Sequence, residues 1–187
     1  LEYRNRVMDI AVKQKNKQMI AFSHSGIGTI YAAQGKLEEA LQSYYECMKI
    51  NEETGDRYEL GRTLNNIARV YFYLNRLDKA LQYNLRSIDE KTASGNHVEI
   101  PSTMMNTGFT YARMKRFPEA YQILDQAIKK ARDIGNEAAE GNIIKAYSDV
   151  YLDEGKFEKA LEYHIRYHEF EKKRLGRNLK KQIDDLN

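Results

Sequence analysis

"YAAQGKLEEAL", residues 31–41, returns three times at a spacing of forty: "YFYLNRLDKAL" (71–81), "YARMKRFPEAY" (111–121) and "YLDEGKFEKAL" (151–161). Self-similarity at a fixed period marks a stacked-repeat protein and decides the fold before any local propensity is weighed. Cut into blocks 21–60, 61–100, 101–140 and 141–180, the chain aligns without insertions. One column is Tyr31, Tyr71, Tyr111, Tyr151. Others are Leu37, Leu77, Phe117, Phe157; then Ala40, Ala80, Ala120, Ala160; then Leu41, Leu81, Tyr121, Leu161. A small residue recurs at Gly28, Ala68, Gly108 and Ser148.

Each block holds two helical patterns. Leu64, Ile67, Ala68 and Tyr71 follow the i, i+3, i+4, i+7 spacing of an amphipathic helix, and Leu77, Ala80, Leu81, Leu85 and Ile88 repeat it. A short polar turn joins the two. The links between blocks read "TGDRYE", "SGNHVE" and "IGNEAA". Gly55, Gly95 and Gly135 suit the left-handed residue that ends a helix, and Asp56, Asn96 and Asn136 are expected to cap the next one. Glu59 and Glu99 complete two capping boxes. Pro101 predicts either a late start to its helix or an irregular first turn. The small column lets the paired helices approach closely opposite Ala40 or Ala120. One pair cannot bury its apolar face alone, so pairs stack.

The chain has 187 residues, one cysteine and a net charge of +3. A single cysteine excludes an intrachain disulfide and a multi-cysteine zinc site. Charge signs are mixed: residues 21–60 carry three Lys/Arg and seven Asp/Glu, residues 61–100 six and four. That is not the basic stripe of a nucleic-acid binder. No stretch is long and apolar enough for a membrane span, and the first twenty residues lack a signal-peptide core. The expectation is a cytoplasmic protein region with no nucleic-acid or membrane partner.

The small residue, the tyrosine, the alanine and the apolar position after it fall at the spacing of the tetratricopeptide repeat, a helix-turn-helix unit of 34 residues, which the chain resembles over nearly its whole length. Two departures matter. The family's opening Trp is replaced by His24, Leu64, Met104 and Ile144, and its closing Pro is absent. The resulting 40-residue unit is similar to the long repeats of bacterial signalling proteins, where arrays precede a histidine kinase, a nucleotide cyclase or a DNA-binding domain. It is also similar to Pins-type adaptors and bacterial peptide-receptor regulators. The resemblance implies an all-α, right-handed solenoid of antiparallel helix pairs. The divisions are 1–14, the second helix of a preceding partial repeat in a longer array; repeats 15–60, 61–100, 101–140 and 141–174; and a terminal amphipathic extension, 175–187. Met8 and Ile10, forty residues before Met48 and Ile50, support the first division.

The resemblance further implies a non-catalytic module that binds a protein or peptide segment, as a sensory or scaffolding region of a larger signalling protein. In the family the first helices line the concave face. By position this gives Phe22, Ser25, Thr29 and Ala33; Arg62, Asn65, Arg69 and Tyr73; Ser102, Met105, Phe109 and Arg113; and Asn142, Lys145, Asp149 and Asp153. The expected groove is Arg62, Asn65, Arg69, Tyr73, Met105, Phe109, Arg113 and Lys145, a mixture of arginines and apolar groups suited to an acidic-hydrophobic segment. Ser25, Thr29 and Ser102 do not reproduce the carboxylate clamp of some relatives.

Other candidates are weaker. His164 and His168 share a helix face but have no third ligand, and are expected to be partly buried rather than metal-binding. Cys47 is expected to be buried and inert. No Ser/His/Asp or Cys/His set has a useful spacing, so neither catalysis nor a cofactor is expected. Leu175, Leu179, Ile183 and Leu186 form an apolar stripe with two readings. It is a capping helix folded over the last repeat, or the start of a coiled coil that leads to an output domain or makes a homodimer. The alternative functions are therefore homo-oligomerisation and control of an attached histidine kinase or nucleotide cyclase.

Overall fold

The forty-residue period carries directly into the computed structural model, which describes residues 2–185, with the side chains of residues 2–5, 7, 8 and 181 outside the description. Leu186 of the expected stripe and the Met8 side chain therefore lie outside the described residues. The helices are α1 (Glu2–Lys13), α2 (Lys17–Ala33), α3 (Leu37–Thr54), α4 (Arg57–Tyr73), α5 (Leu77–Ala93), α6 (Ile100–Arg113), α7 (Phe117–Asp133), α8 (Glu137–Glu154) and α9 (Phe157–Asp184), with a 3-10 turn at His97–Glu99. No strand occurs among the described residues. First helices start at Lys17, Arg57 and Glu137, and second helices at Leu37, Leu77, Phe117 and Phe157, so each matches its counterparts in multiples of forty. The exception is α6. Its expected start, His97, opens the 3-10 turn, and α-helix begins only at Ile100. Pro101 has no N–H to donate to the His97 carbonyl, so an α-helix starting at His97 lacks its first bond; the first turn is irregular and the α-helix starts late.

Two compact units make up the chain, Leu1–Glu99 and Ile100–Asn187, and each is considered by itself. In the first, α2 pairs with α3 and α4 with α5, while α4 also packs on α3 and α1 on α2. Its core joins the repeated columns: Ala40, Leu41, Tyr44, Ile67, Val70, Tyr71 and Ala80, edged by Tyr31 and Leu37. In the second, α6 pairs with α7 and α8 with α9, and α8 also packs on α6 and α7. Leu124, Ala127, Ile143, Tyr147 and Val150 are buried there.

The small column works through side chains. A Cβ on Gly28 would sit 2.8 Å from Tyr44 Cε1, and one on Gly108 3.0 Å from Leu124 Cδ2. The glycines thus receive a ring and a leucine from the facing helix, not the backbone opposite Ala40 or Ala120. Ser148 behaves as expected of a close approach, donating from Oγ to the Ala160 carbonyl at 2.8 Å.

The links also differ in detail. Asp56 accepts from the Glu59 N–H at 3.0 Å, and Asn136 from the Ala139 N–H at 3.0 Å. The reciprocal half of the first capping box is missing, because the Asp56 N–H already donates to the Asn51 carbonyl at 3.0 Å. The Glu59 carboxylate accepts from Arg62 instead. Asn96 precedes the 3-10 turn rather than an α-helix, and Glu99 pairs with Lys91. The expected boundary between 174 and 175 falls inside α9, which runs unbroken for 28 residues and does not fold back as a cap.

Candidate functional site

On α4, Arg62, Asn65, Arg69 and Tyr73 recur at intervals of three and four, so they share one face. The other face buries Leu60, Leu64, Ile67, Ala68 and Tyr71. Packing fixes the helix and leaves the first set on its outer side. Arg62 is already engaged: Nη1 lies 3.0 Å from Glu59 Oε1 and Nε 3.4 Å from Glu99 Oε1. Burial works against the Arg62 charge, but the two carboxylates outweigh it and raise its pKa. Arg69 is exposed and makes no ion pair among the described residues. Tyr73 is 67% exposed, its ring edge-on to Phe72.

Beside this face, α2 contributes the exposed Phe22. It stands at a cleft of about 300 Å³ lined also by Gln18, Ala21, Cys47, Asn51, Asp56 and Glu59. The sequence placed Phe22 on the binding face but gave no sign of the cleft, which forms where the end of α3 meets the start of α4. Thr29 is tied down, its Oγ1 bonded to the Ser25 carbonyl at 2.9 Å and to the Tyr44 hydroxyl at 3.1 Å.

In the second unit, Met105 and Phe109 are half-buried on α6 and Arg113 is exposed. Lys145 is exposed on α8, which packs on α6. Asp149 and Asp153 follow on the same helix. Burial pushes the Asp149 carboxyl up, and Asp153 adds repulsion that Lys145 and His164 oppose. So α6 brings apolar and cationic groups, and α8 brings the cation Lys145 followed by the acidic Asp149 and Asp153. The structure therefore gathers four of the eight expected residues on α4 and three on α6, with Lys145 on the helix next to α6.

Two tyrosine clusters lie on neither expected face. Tyr45 bonds through its hydroxyl to Tyr71 and Tyr83, and Tyr71 stacks on Tyr83 at 5.6 Å. Tyr121 donates to Glu154 and Tyr147 to Asp125, with Tyr147 stacked on Tyr163 at 4.8 Å. The signal for them was the high tyrosine count, 14, which the repeat column explains only in part.

His164 and His168 approach to 3.1 Å between Nε2 atoms, and both are exposed. This corrects the expectation of partial burial, because nothing among the described residues packs on that face of α9. No group of three or more His, Cys, Asp or Glu side chains suited to a metal ion occurs among the described residues. Cys47 is buried, 3.2 Å from Thr63 Oγ1 and 3.5 Å from Asn51 Nδ2. Burial pushes its thiol up, away from the reactive thiolate. No described helix is long and apolar enough to cross a membrane.

Residues 19–89 match the family model of the tetratricopeptide repeat. No curated protein sequence matches. Among solved structures, BtubC (BKLC) from P. vanneervenii superposes with a TM-score of 0.75 at 18% identity, over 86% of this chain and 66% of that one. A Podosopora anserina putative kinesin light chain with nearly identical TPR-like repeats gives 0.72 at 15%, over 92% and 85%. Aspartyl phosphate phosphatase F from Bacillus subtilis gives 0.70 at 14%, over 91% and 54%, so the chain spans about half of that protein. At these identities the likeness shows the fold, an all-α solenoid of tetratricopeptide type.

Proposed function

We propose that this tetratricopeptide-repeat chain is a non-catalytic protein-interaction module, taking an acidic-hydrophobic partner segment against the outer face of α4. The carrying observation is the pair Arg69 and Tyr73, four residues apart on one face and both exposed. Arginine beside an exposed aromatic is the composition enriched at binding hot spots. Asn65 lies between Arg62 and Arg69 on that face, where its amide suits a partner's backbone. Arg62, neutralised by Glu59 and Glu99, shapes the surface more than it attracts a ligand. Within their own unit, Met105, Phe109 and Arg113 on α6, with Lys145 on α8, make a second surface of similar character. The resemblance to the long repeats of bacterial signalling proteins supports a sensory or scaffolding role in a larger signalling protein.

The test uses immobilised peptides of equal length in three sets: acidic-apolar, basic-apolar and scrambled. The chain is expected to be retained on the acidic-apolar set above the other two. Equal retention on the basic set overturns the proposal.

A further inference from the structure

Leu41 and Leu161 hold the same place in their repeats, yet Leu41 is 4% exposed and Leu161 60%. In the first unit α4 returns along α3 and covers the face that holds Leu41 and Tyr44. Nothing among the described residues does this for α9. Its bare face carries Phe157, Leu161, Ile165, Leu175 and Leu179, all exposed. At about 100° per residue these fall in a sector roughly 80° wide that runs about 33 Å from 157 to 179, broken midway by the exposed His168 and Lys172. Ala160, Tyr163 and Phe170 lie on the opposite side, where Ala160 meets Ser148, Tyr163 meets Tyr147 and Phe170 lies against Gly141. A helix with a second apolar stripe of this length is built for a second partner.

The charges beside the stripe indicate which partner. One shoulder reads Glu158, Glu162, Glu169, then Lys173 and Lys180, all exposed. Residues 172–181 hold six Lys/Arg and no Asp/Glu. Two copies laid parallel would set these basic segments side by side. Laid antiparallel, they set acid against base. The register that pairs Leu161 with Leu179 and Ile165 with Leu175 brings Glu162 near Lys180 and Glu169 near Lys173 of the other copy. Glu162 has only a loose competing pair, Arg166 at 3.9 Å on the exposed side of the helix. An antiparallel helix is also what covers this face in the earlier repeats.

We propose that α9 is a homodimer seam, in which two copies of this chain pair antiparallel and each α9 covers the bare stripe of the other. The seam is distinct from the α4 face and does not depend on it.

Sedimentation of the whole chain over a hundredfold concentration range tests the proposal. The expected result is a monomer–dimer equilibrium that Leu161→Glu and Leu179→Glu each shift to monomer, with helicity by circular dichroism preserved. Glu162→Lys alone and Lys180→Glu alone are expected to weaken the dimer roughly tenfold, and the double variant to restore it. Wild-type protein that stays monomeric throughout overturns the proposal. So does a dimer that survives both leucine changes, and so does a double charge swap no tighter than the single swaps.

Discussion

Lys91 Nζ lies 3.0 Å from Glu99 Oε2, on a lysine side chain only 2% exposed. The stem of Lys91 runs over Gly61, where an added Cβ would be 2.8 Å from Lys91 Cγ. An ammonium out of water holds its charge through its carboxylate, and burial pulls the Lys91 pKa down while Glu99 pushes back. Removing one partner of such a pair harms more than replacing the buried charge with an apolar group. Glu99→Gln is expected to lower stability by about 2 kcal/mol, since Glu99 itself is partly wet. Lys91→Met is expected to change it by less than about 1 kcal/mol. Urea denaturation of the two variants checks the ranking.

Alkaline stability is set against the tyrosine clusters. Burial first, and then hydrogen bonds to neighbouring tyrosines or carboxylates, push the hydroxyl pKa up at Tyr45, Tyr121 and Tyr147. The unfolded chain loses those protons from about pH 10, while the folded chain keeps them. The stabilisation is therefore whole below pH 10 and lost above it. Lys91 acts in the opposite sense, since its folded pKa is lowered and the unfolded chain holds the proton longer. Burial also raises Tyr44, Tyr151 and the Cys47 thiol, so Lys91 is outnumbered and the net expectation is a fall in unfolding free energy as pH rises past 10. Denaturation at pH 9, 10 and 11 measures it. Tyr147→Phe is expected to flatten the slope by up to about 1.4 kcal/mol per pH unit.

Glycines at different places answer to different physics. Gly28→Ala drives a Cβ to 2.8 Å from the Tyr44 ring, and an overpacked core of this kind is expected to lose about 1–3 kcal/mol. Gly176 lies within α9 with nothing inside 4 Å of its virtual Cβ. Gly176→Ala is expected to stabilise its stretch of helix by about 0.5–1 kcal/mol. Chemical denaturation reads the first, and amide hydrogen exchange around residue 176 reads the second.

The turn inside each helix pair offers a further check. Gly35 and Gly155 take positive φ there, and so do Asn75 at 56° and Lys115 at 61°. A lysine in this region carries strain of about 1 kcal/mol that glycine does not. Lys115→Gly is expected to raise stability by about 0.5 kcal/mol, part of the strain relief being offset by the freer unfolded chain. Thermal unfolding against wild type tests it.

These cases show what one sequence makes legible. The alanine column is right at every position, since Ala40, Ala80, Ala120 and Ala160 are all buried. It holds because the two helices of a pair always touch there. The next column is right at Leu41 and fails at Leu161, because its burial needs a following helix that local sequence does not supply. Left-handed backbone was legible where glycine marks it and hidden at Lys115, where no residue type signals it. A second small column, Ala21, Gly61 and Gly141, all buried, also stands in the sequence, with Pro101 at its third place. On the α4 face, the residue types stood in the sequence, but the capture of Arg62 by Glu99 depends on the 3-10 turn that Pro101 imposes.

The division between packing columns and diverging positions is tested most directly by charge reversal on α4. On an acidic-apolar peptide retained by wild type, Arg69→Glu is expected to weaken binding at least tenfold while helicity and stability stay unchanged. Lys79→Glu on α5, equal in charge but off that face, is expected to leave it within about twofold. Equal losses for the two variants, or none for Arg69→Glu, contradict the account.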